Sequence, residues 1–465
     1  MTAVKADFAP FAQRMMAEGL SDIVVRNFEF YYRQLAEGRA GLIAEKDIRP
    51  VSTLPDAEAF GAALSTTGRA AMSKTILLKL NGGLGTSMGL DKAKSLLIAR
   101  DRLSFLDIIA RQARQSAAPL VLMNSFNTRA DSLAALAPYS DLRRFDIPLD
   151  FVQHKVPKIV QADLTPVIWP ADPDLEWFPP GHGDIYTALV TSGMLNLLLT
   201  AGYEYAFVSN ADNLGAALDP AILGYFVAER LPFLMEATDR TAADRKGGHL
   251  ARATDGRLIL RESAQCPPQD VAAFQDITRH RFFNTNNLWL NLPALRALLE
   301  ERQGVLGLPM IRNGKPVDPC DAASTPVYQL ETAMGAAIGL FEAAGAVRVP
   351  RTRFAPVKTT DDLLAIRSDA YVLTDDFRVA PNPRRRLSEP PAVSLDAQFY
   401  RLIDDLEARF PFGPPSLLDC RRLAVQGDVR FGRDVICRGA VEIANSSAQQ
   451  APIADHAVLE GRIIL

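Results

Sequence analysis

Five short apolar runs alternate with stretches of helical periodicity: TILLKL (75–80), PLVLMN (119–124), YAFVSN (205–210), PFLMEA (232–237) and FNTNNLWLN (283–291). This alternation constrains the fold more than any other feature of the chain. Runs this short and this apolar are strands buried on both faces, which calls for a mostly parallel sheet covered by helices, an α/β architecture. Such sheets take ligands in the crevice at the carboxyl ends of their strands. Three of the runs end there in polar residues: NGG after TILLKL, NSFN after PLVLM and NADN after YAFVS.

At 465 residues the chain exceeds the ~250–300 residues that one core serves, so two or three domains are expected. Residues 1–70 carry helically spaced apolar positions (Phe8, Phe11 and Met15, then Ile23, Phe28, Tyr31 and Leu35) and predict a helical N-terminal segment. The alternating pattern then predicts a catalytic α/β domain over 71–385, followed by a C-terminal unit over 386–465. In that unit apolar residues recur every sixth position in two sets: Leu423, Val429, Val435 and Val441, and Val425, Phe431, Cys437 and Ile443, with the phase resuming at Ile453, Leu459 and Leu465. A six-residue period fits neither a helix nor a plain hairpin and predicts a β-helix of stacked coils; a sandwich of short strands ranks second. The run Arg384-Arg385-Arg386 lies among prolines and is expected to be a solvated linker.

A formal net charge of −3 and a pI near 6.0 leave no global basic field to draw the protein onto nucleic acid or an anionic membrane, so phosphate recognition must be local. No window is apolar over a membrane-spanning length, and the amino-terminal MTAVKADFAPFAQRMM lacks a basic start followed by an apolar core. Four cysteines without a CxxC pair argue against a disulfide scaffold or a zinc site. A soluble protein of the reducing cytoplasm is expected.

The sharpest segment is LKLNGGLGTSMGLDKAKSLL, Leu78 to Leu97. Its strand delivers Asn81, Gly82, Gly83, Gly85 and Gly89 into a loop whose backbone N–H groups can approach phosphate closely. It is not a Walker loop, because Lys92 and Lys94 do not directly follow a glycine. Nor is it a dinucleotide fingerprint, because Gly89 falls one place late after Gly83 and Gly85 and no acid closes the next strand.

Together with MNSFNT (123–128), PPGHGDIYTAL (179–189), SNADNLGA (209–216), KGGHLAR (246–252), FNTNNLW (283–289), QLETAMGAAI (329–338) and RFAPVKTTDDLL (353–364), this loop resembles the UTP–glucose-1-phosphate uridylyltransferase family of eukaryotic type. MGLDKAKSLL, RESAQCP and RFAPVKTTDDLLAIRSDAYVLTDDFR are most like its protozoan, trypanosomatid-like members. The resemblance implies a Rossmann-like nucleotidyltransferase core with a mixed, mostly parallel sheet and a C-terminal left-handed β-helix. It also implies Mg²⁺-dependent, reversible transfer of UMP from UTP to glucose 1-phosphate, giving UDP-glucose and pyrophosphate.

Site roles carried by the resemblance fall on particular residues. Lys94, closing the glycine loop, would face the α-phosphate, whereas Lys92 has no role. Leu80, Asn81, Gly82 and Gly83 would touch the nucleotide through backbone, Gln153 would read the uracil edge and Gly181 would lie at the base. Asp212 would hold Mg²⁺ beside the nucleotide. Lys358 would grip phosphate, His182 would lie near the sugar phosphate, and Asn210, Gly248, Glu262, Asn286 and Phe354 would contact glucose. The loop carries LDKA where animal members have CKGP, and the tail stops at Leu465. The resemblance to protozoan members leads us to expect a monomer.

Three other readings share parts of this pattern. A broad-specificity UDP-sugar pyrophosphorylase, or a uridylyltransferase acting on N-acetylglucosamine 1-phosphate, would differ in a few sugar-facing side chains. An NAD(P)-dependent oxidoreductase would use Gly83, Gly85 and Gly89 but needs a ribose-reading acid that is missing. A scaffold or an acyltransferase would rest on the β-helix, which has too few coils for an acyltransferase cleft.

Overall fold

The computed structural model describes residues 7–142 and 147–465. Residues 1–6, the start of the expected helical segment, lie outside the described residues. Among the described residues the central sheet has ten strands, seven of which form its main body: β1 (Thr75–Asn81), β2 (Leu120–Asn124), β3 (Asp150–Val152), β4 (Tyr205–Asn210), β5 (Phe233–Asp239), β6 (Phe282–Asn291) and β7 (Gly345–Arg348). Their order is β3-β2-β1-β4-β6-β5-β7. Neighbours pair in parallel except at β6, which runs antiparallel to both β4 and β5. The sheet is therefore mixed and mostly parallel, and four of the five apolar runs supply its parallel strands.

The two-residue period of a strand explains why these runs are continuously apolar. In β1, Ile76 and Leu78 face one core with Val121, Met123, Ala206 and Val208, whereas Leu77 faces another with Leu120, Leu122 and Phe207. The chain winds from β1 through β2 to β3, then returns to place β4 on the other side of β1. This reversal is a topological switch point, and it opens a crevice at the carboxyl ends of β1 and β4.

Around this sheet sit smaller units. Helices Ala9–Ala17 and Asp22–Ala36 bury Phe11, Met15, Phe28 and Tyr32 against Val156, Ile159, Phe178 and Leu330. The amino-terminal segment also holds a short strand, Ile48–Pro50, paired with His249–Ala253, which the helical reading did not anticipate. His249–Ala253 and Leu258–Arg261 form an antiparallel flap attached to β6 through His249 and Phe283. A separate antiparallel sheet of Met310–Pro316, Pro326–Thr332 and Ile159–Val160 brings Thr332 beside the GHGD turn.

In the tail, β8 (Ala392–Leu395), β9 (Ser416–Gln426), β10 (Ile436–Ala444) and β11 (Val458–Ile464) pair in parallel in that order, and Val429–Arg430 pairs in parallel with Ala451–Pro452. The register sets Leu423 beside Val441 and Val425 beside Ile443, so like positions meet after three six-residue steps. Val429, Phe431, Val435 and Cys437, from the intervening steps, are buried as well. Leu465 departs from the pattern: it is exposed and not part of the core. Arg385 departs from the solvated-linker reading. Its guanidinium donates to the carbonyls of Leu417, Leu418, Cys420 and Glu389 and pins the linker to the tail.

Candidate active site

At the switch point β1 runs into Gly82-Gly83 and β4 into Ala211-Asp212, and a cavity of about 300 Å³ opens between them. Ten of the residues singled out from the sequence line it: Leu80, Asn81, Gly82, Gly83, Lys94, Gln153, Gly181, His182, Asn210 and Asp212. The glycine loop folds back through the Lys94 N–H to Gly83 O bond of 3.0 Å, which turns the Lys94 side chain towards β4. There its Nζ donates to Asp212 Oδ2 at 2.9 Å. Lys92 is exposed on the outside of the loop.

The second oxygen of Asp212, Oδ1, is buried and has no hydrogen-bond partner among the described residues. A buried acceptor in that condition is costly unless something fills it. No group of three or more His, Cys, Asp or Glu side chains that could hold a metal occurs among the described residues. One free carboxylate oxygen suits a Mg²⁺ ion that takes its remaining ligands from phosphate and water.

The end of the cavity that holds Gln153 and Gly181 is built by close approaches. A Cβ added to Gly82 would lie 2.8 Å from Gln153 Nε2, so the glutamine amide rests on bare backbone that only glycine offers. Gly181 has φ +81°, and a Cβ there would lie 2.5 Å from Thr332 O, so the turn needs glycine on both counts. Next to it, His182 Nδ1 accepts from Met334 N–H at 3.0 Å, which leaves the ring proton on Nε2. Burial, with the charge of Lys358, lowers its pKa to about 4. At neutral pH this histidine offers an N–H donor and no positive charge.

Not every polar strand end faces the cavity. Asn81 Nδ2 donates to Asn124 Oδ1 (2.7 Å) and Ser132 Oγ (2.8 Å), and Asn124 Nδ2 donates to Asp150 Oδ2 at 3.2 Å. The side chains of NGG and NSFN thus form a ladder across β1, β2 and β3. Asn81 can face a ligand only through its backbone.

The residues expected to contact glucose form a second group. A Cβ on Gly248 would lie 2.5 Å from the Glu262 carboxylate, which packs on the glycine; burial raises the pKa of Glu262, and the Lys358 charge lowers it. The β5–β6 pairing slips between Glu236 and Ala237, and opposite that slip Asn286 takes φ +59°. This bulge is held by Asn284, whose Nδ2 donates to Asn286 Oδ1 and whose Oδ1 accepts Asn286 N–H, both at 2.9 Å. Phe354 packs on Phe283 with ring centroids 5.1 Å apart. Lys358 is exposed. Phe354 and Lys358 line a larger cavity of about 520 Å³ towards the linker, and neither lines the smaller one. The Lys94–Asp212 pair and the ends of β1 and β4 lie at the smaller cavity.

Asn213, which the sequence did not single out, joins the two groups. Its Oδ1 accepts Ala355 N–H (3.0 Å), its Nδ2 donates to Arg353 O (3.1 Å), and Val357 N–H donates to Asp212 O (3.0 Å). Beneath the same loop the buried Lys79 donates to Ser209 Oγ (2.7 Å) and Ala216 O (2.8 Å). The one visible signal for Lys79 was a lysine inside the otherwise apolar TILLKL.

The family model for UTP–glucose-1-phosphate uridylyltransferase matches residues 25–438. The chain is 42% identical over 400 residues to the UTP–glucose-1-phosphate uridylyltransferase of Solanum tuberosum, covering 84% of this chain and 81% of that protein. It is also 42% identical over 400 residues to a probable enzyme of the same name from Schizosaccharomyces pombe, covering 84% and 77%. Among solved structures, it is similar to a mutant UDP-glucose pyrophosphorylase from Leishmania major in complex with UDP-glucose. The TM-score is 0.93 at 44% identity, over 99% of this chain and 100% of that one.

Proposed function

The chain belongs to the UTP–glucose-1-phosphate uridylyltransferase family, and from that premise we propose how its own residues transfer UMP from UTP to glucose 1-phosphate. The enzyme is a nucleotidyltransferase that forms UDP-glucose and releases pyrophosphate. Both substrates are polyanions and the attacking phosphate oxygen is already ionised, so the site needs little base catalysis. It must align two anions and neutralise the charge between them. The observation that carries the assignment is the Lys94–Asp212 pair, with Asp212 Oδ1 unpartnered, at the switch point of the sheet.

In this scheme Gln153 and the backbone of Gly82, Gly83 and Gly181 receive the uracil, and Lys94 neutralises the α-phosphate. Asp212 would hold Mg²⁺, which would supply further charge neutralisation beside the phosphates. His182 donates Nε2–H to the sugar phosphate and Lys358 closes on phosphate from the exposed side. Asn210, Gly248, Glu262, Asn286 and Phe354 contact glucose. An oxygen of glucose 1-phosphate attacks the α-phosphorus; its new bond forms as the bond to the bridging oxygen breaks, and that electron pair leaves with pyrophosphate.

The proposed division is a helical segment over 1–70, a catalytic domain over 71–385 and a left-handed β-helix over 386–465; stacked parallel pairing with buried six-residue steps supports the last. We also propose a monomer, supported by exposed Glu460 and Arg462 on the outermost tail strand, since charges on an edge discourage pairing with another chain. Four free cysteines support a reducing, cytoplasmic setting. No helix of the described residues is long and apolar enough to cross a membrane. Turnover of UTP, CTP and ATP with a panel of sugar 1-phosphates tests the substrate assignment. UTP with glucose 1-phosphate should be preferred by kcat/KM, and equal use of ATP, or preference for another sugar 1-phosphate, would overturn it.

A further inference from the structure

Among the described residues the buried carboxylate of Asp184 has a single partner, His154, which it meets through both backbone and side chain and which directly follows Gln153. Asp184 Oδ2 accepts the His154 backbone N–H at 2.7 Å, and its two oxygens lie 2.9 and 3.0 Å from His154 Nδ1. No lysine or arginine pairs with it among the described residues. The far side of the same imidazole is also held: Nε2 lies 2.9 Å from Thr191 Oγ1, at the end of the helix Ile185–Thr191 that begins just after Asp184. In its own backbone, Asp184 N–H donates to Gly181 O at 3.2 Å. One residue therefore ties together the Gln153–His154 segment and the turn that carries Gly181 and His182.

Gln153 is fixed on its other side as well, because its N–H donates to Asn124 O at the end of β2 at 2.8 Å. Two consecutive amides, 153 and 154, are thus bound to two different elements, a strand end and a helix start. The freedom left to Gln153 lies in its side-chain torsions, and the amide already rests on Gly82. Uracil and cytosine present opposite donor and acceptor patterns at N3 and the 4-position. A glutamine amide matches one of them in one orientation and the other when flipped. Discrimination then depends on where the fixed backbone sets the amide between Gly82 and the base edge, because that placement decides which of the two amide orientations finds its partners.

We propose that Asp184 is a positioning residue for pyrimidine selectivity, acting through His154 to hold Gln153 in the uracil-reading orientation. The proposal rests on the reading of Gln153 as the uracil contact. The experiment measures kcat/KM for UTP and for CTP in the full-length enzyme and in Gln153→Ala, Asp184→Ala, Asp184→Asn and Thr191→Val. In Asp184→Ala the UTP-to-CTP ratio should fall by at least about tenfold, part of the roughly hundredfold that a 1 Å misplacement can cost. In the same variant kcat at saturating UTP should stay within about threefold, because the groups around the α-phosphate are untouched. Asp184→Asn should fall between, since its carbonyl can still accept His154 N–H while its NH₂ meets Nδ1 and forces the other tautomer. Thr191→Val should shift the ratio in the same direction by less, and it serves where Asp184→Ala fails to fold. A merely structural carboxylate would lower both nucleotides in parallel. An unchanged ratio in Asp184→Ala or, if that protein does not fold, in both milder variants overturns the proposal when Gln153→Ala does lower it. A ratio unchanged in Gln153→Ala instead removes the uracil reading itself.

Discussion

Replacing Lys79 by methionine gives a sharp prediction, because this lysine lies wholly inside the core beneath the loop that carries Asp212. Burial, followed by the nearby Arg353 charge, lowers its pKa from 10.5 to about 7, against the opposing pull of Glu236 and Asp212. Its two acceptors, Ser209 Oγ and Ala216 O, match the two N–H donors of a neutral amine. Between pH 7 and pH 10.5 the unfolded chain therefore holds a proton that the folded protein lacks, so stability rises with pH across that window and levels off below it. Integrated from pH 6 to pH 9, this one group contributes about 3 kcal/mol. With unfolding entropy of about 2.1 cal/mol/K per residue, a chain of this length converts that into a Tm gain of about 3 °C. Lys79→Met also leaves Ser209 Oγ and Ala216 O without their donor, at a cost of about 1–3 kcal/mol each that does not depend on pH. The diagnostic quantity is thus the slope. In thermal melts with EDTA and no nucleotide, the gap by which wild type exceeds Lys79→Met should widen by about 3 °C from pH 6 to pH 9. Parallel curves would refute the buried neutral amine.

The other predictions concern the site and the tail. Asp212→Asn should abolish turnover at ordinary Mg²⁺ concentration while leaving the melting profile in place; near-normal activity without added metal would remove Asp212 from the metal site. Lys94→Ala should lower kcat by roughly 10²–10³, the usual cost of one preorganised donor, and the exposed Lys92→Ala should do far less; the reverse ranking would mean that the wrong lysine carries the role. Gly248→Ala forces a methyl into the Glu262 carboxylate and should raise KM for glucose 1-phosphate at least about tenfold with little change for UTP, which steady-state kinetics would read directly. Light scattering at micromolar concentration should give about 50.8 kDa, and a larger mass that persists on dilution would contradict the monomer.

The parts of this fold legible in the sequence are those governed by short-range rules. TILLKL, PLVLMN and YAFVSN read as doubly buried parallel strands because both side-chain faces meet an apolar core, and their polar ends point to the crevice. The cavity gathers Lys94, Asp212, Gln153 and Gly181 from four separate motifs of the sequence. What escaped depends on partners remote in sequence. Asn213 meets Arg353 across 140 positions, and no local pattern marks an asparagine whose acceptors arrive from there. Arg385 looked solvated because three of its four carbonyl partners, Leu417, Leu418 and Cys420, lie more than thirty residues on. Strand β3 is three residues long, too short for a periodicity to register. Asn81 and Asn124 end strands at the crevice, and only the sheet order shows that their side chains meet each other.

The central claim is tested most directly by incubating the full-length protein with UTP, Mg²⁺ and glucose 1-phosphate while pyrophosphate and UDP-glucose are quantified, with Asp212→Asn run in parallel. The account predicts equimolar appearance of both products in the wild type, dependence on each of the three additions, and none from Asp212→Asn. Absence of pyrophosphate from a folded wild-type protein, or its release without glucose 1-phosphate, would contradict it.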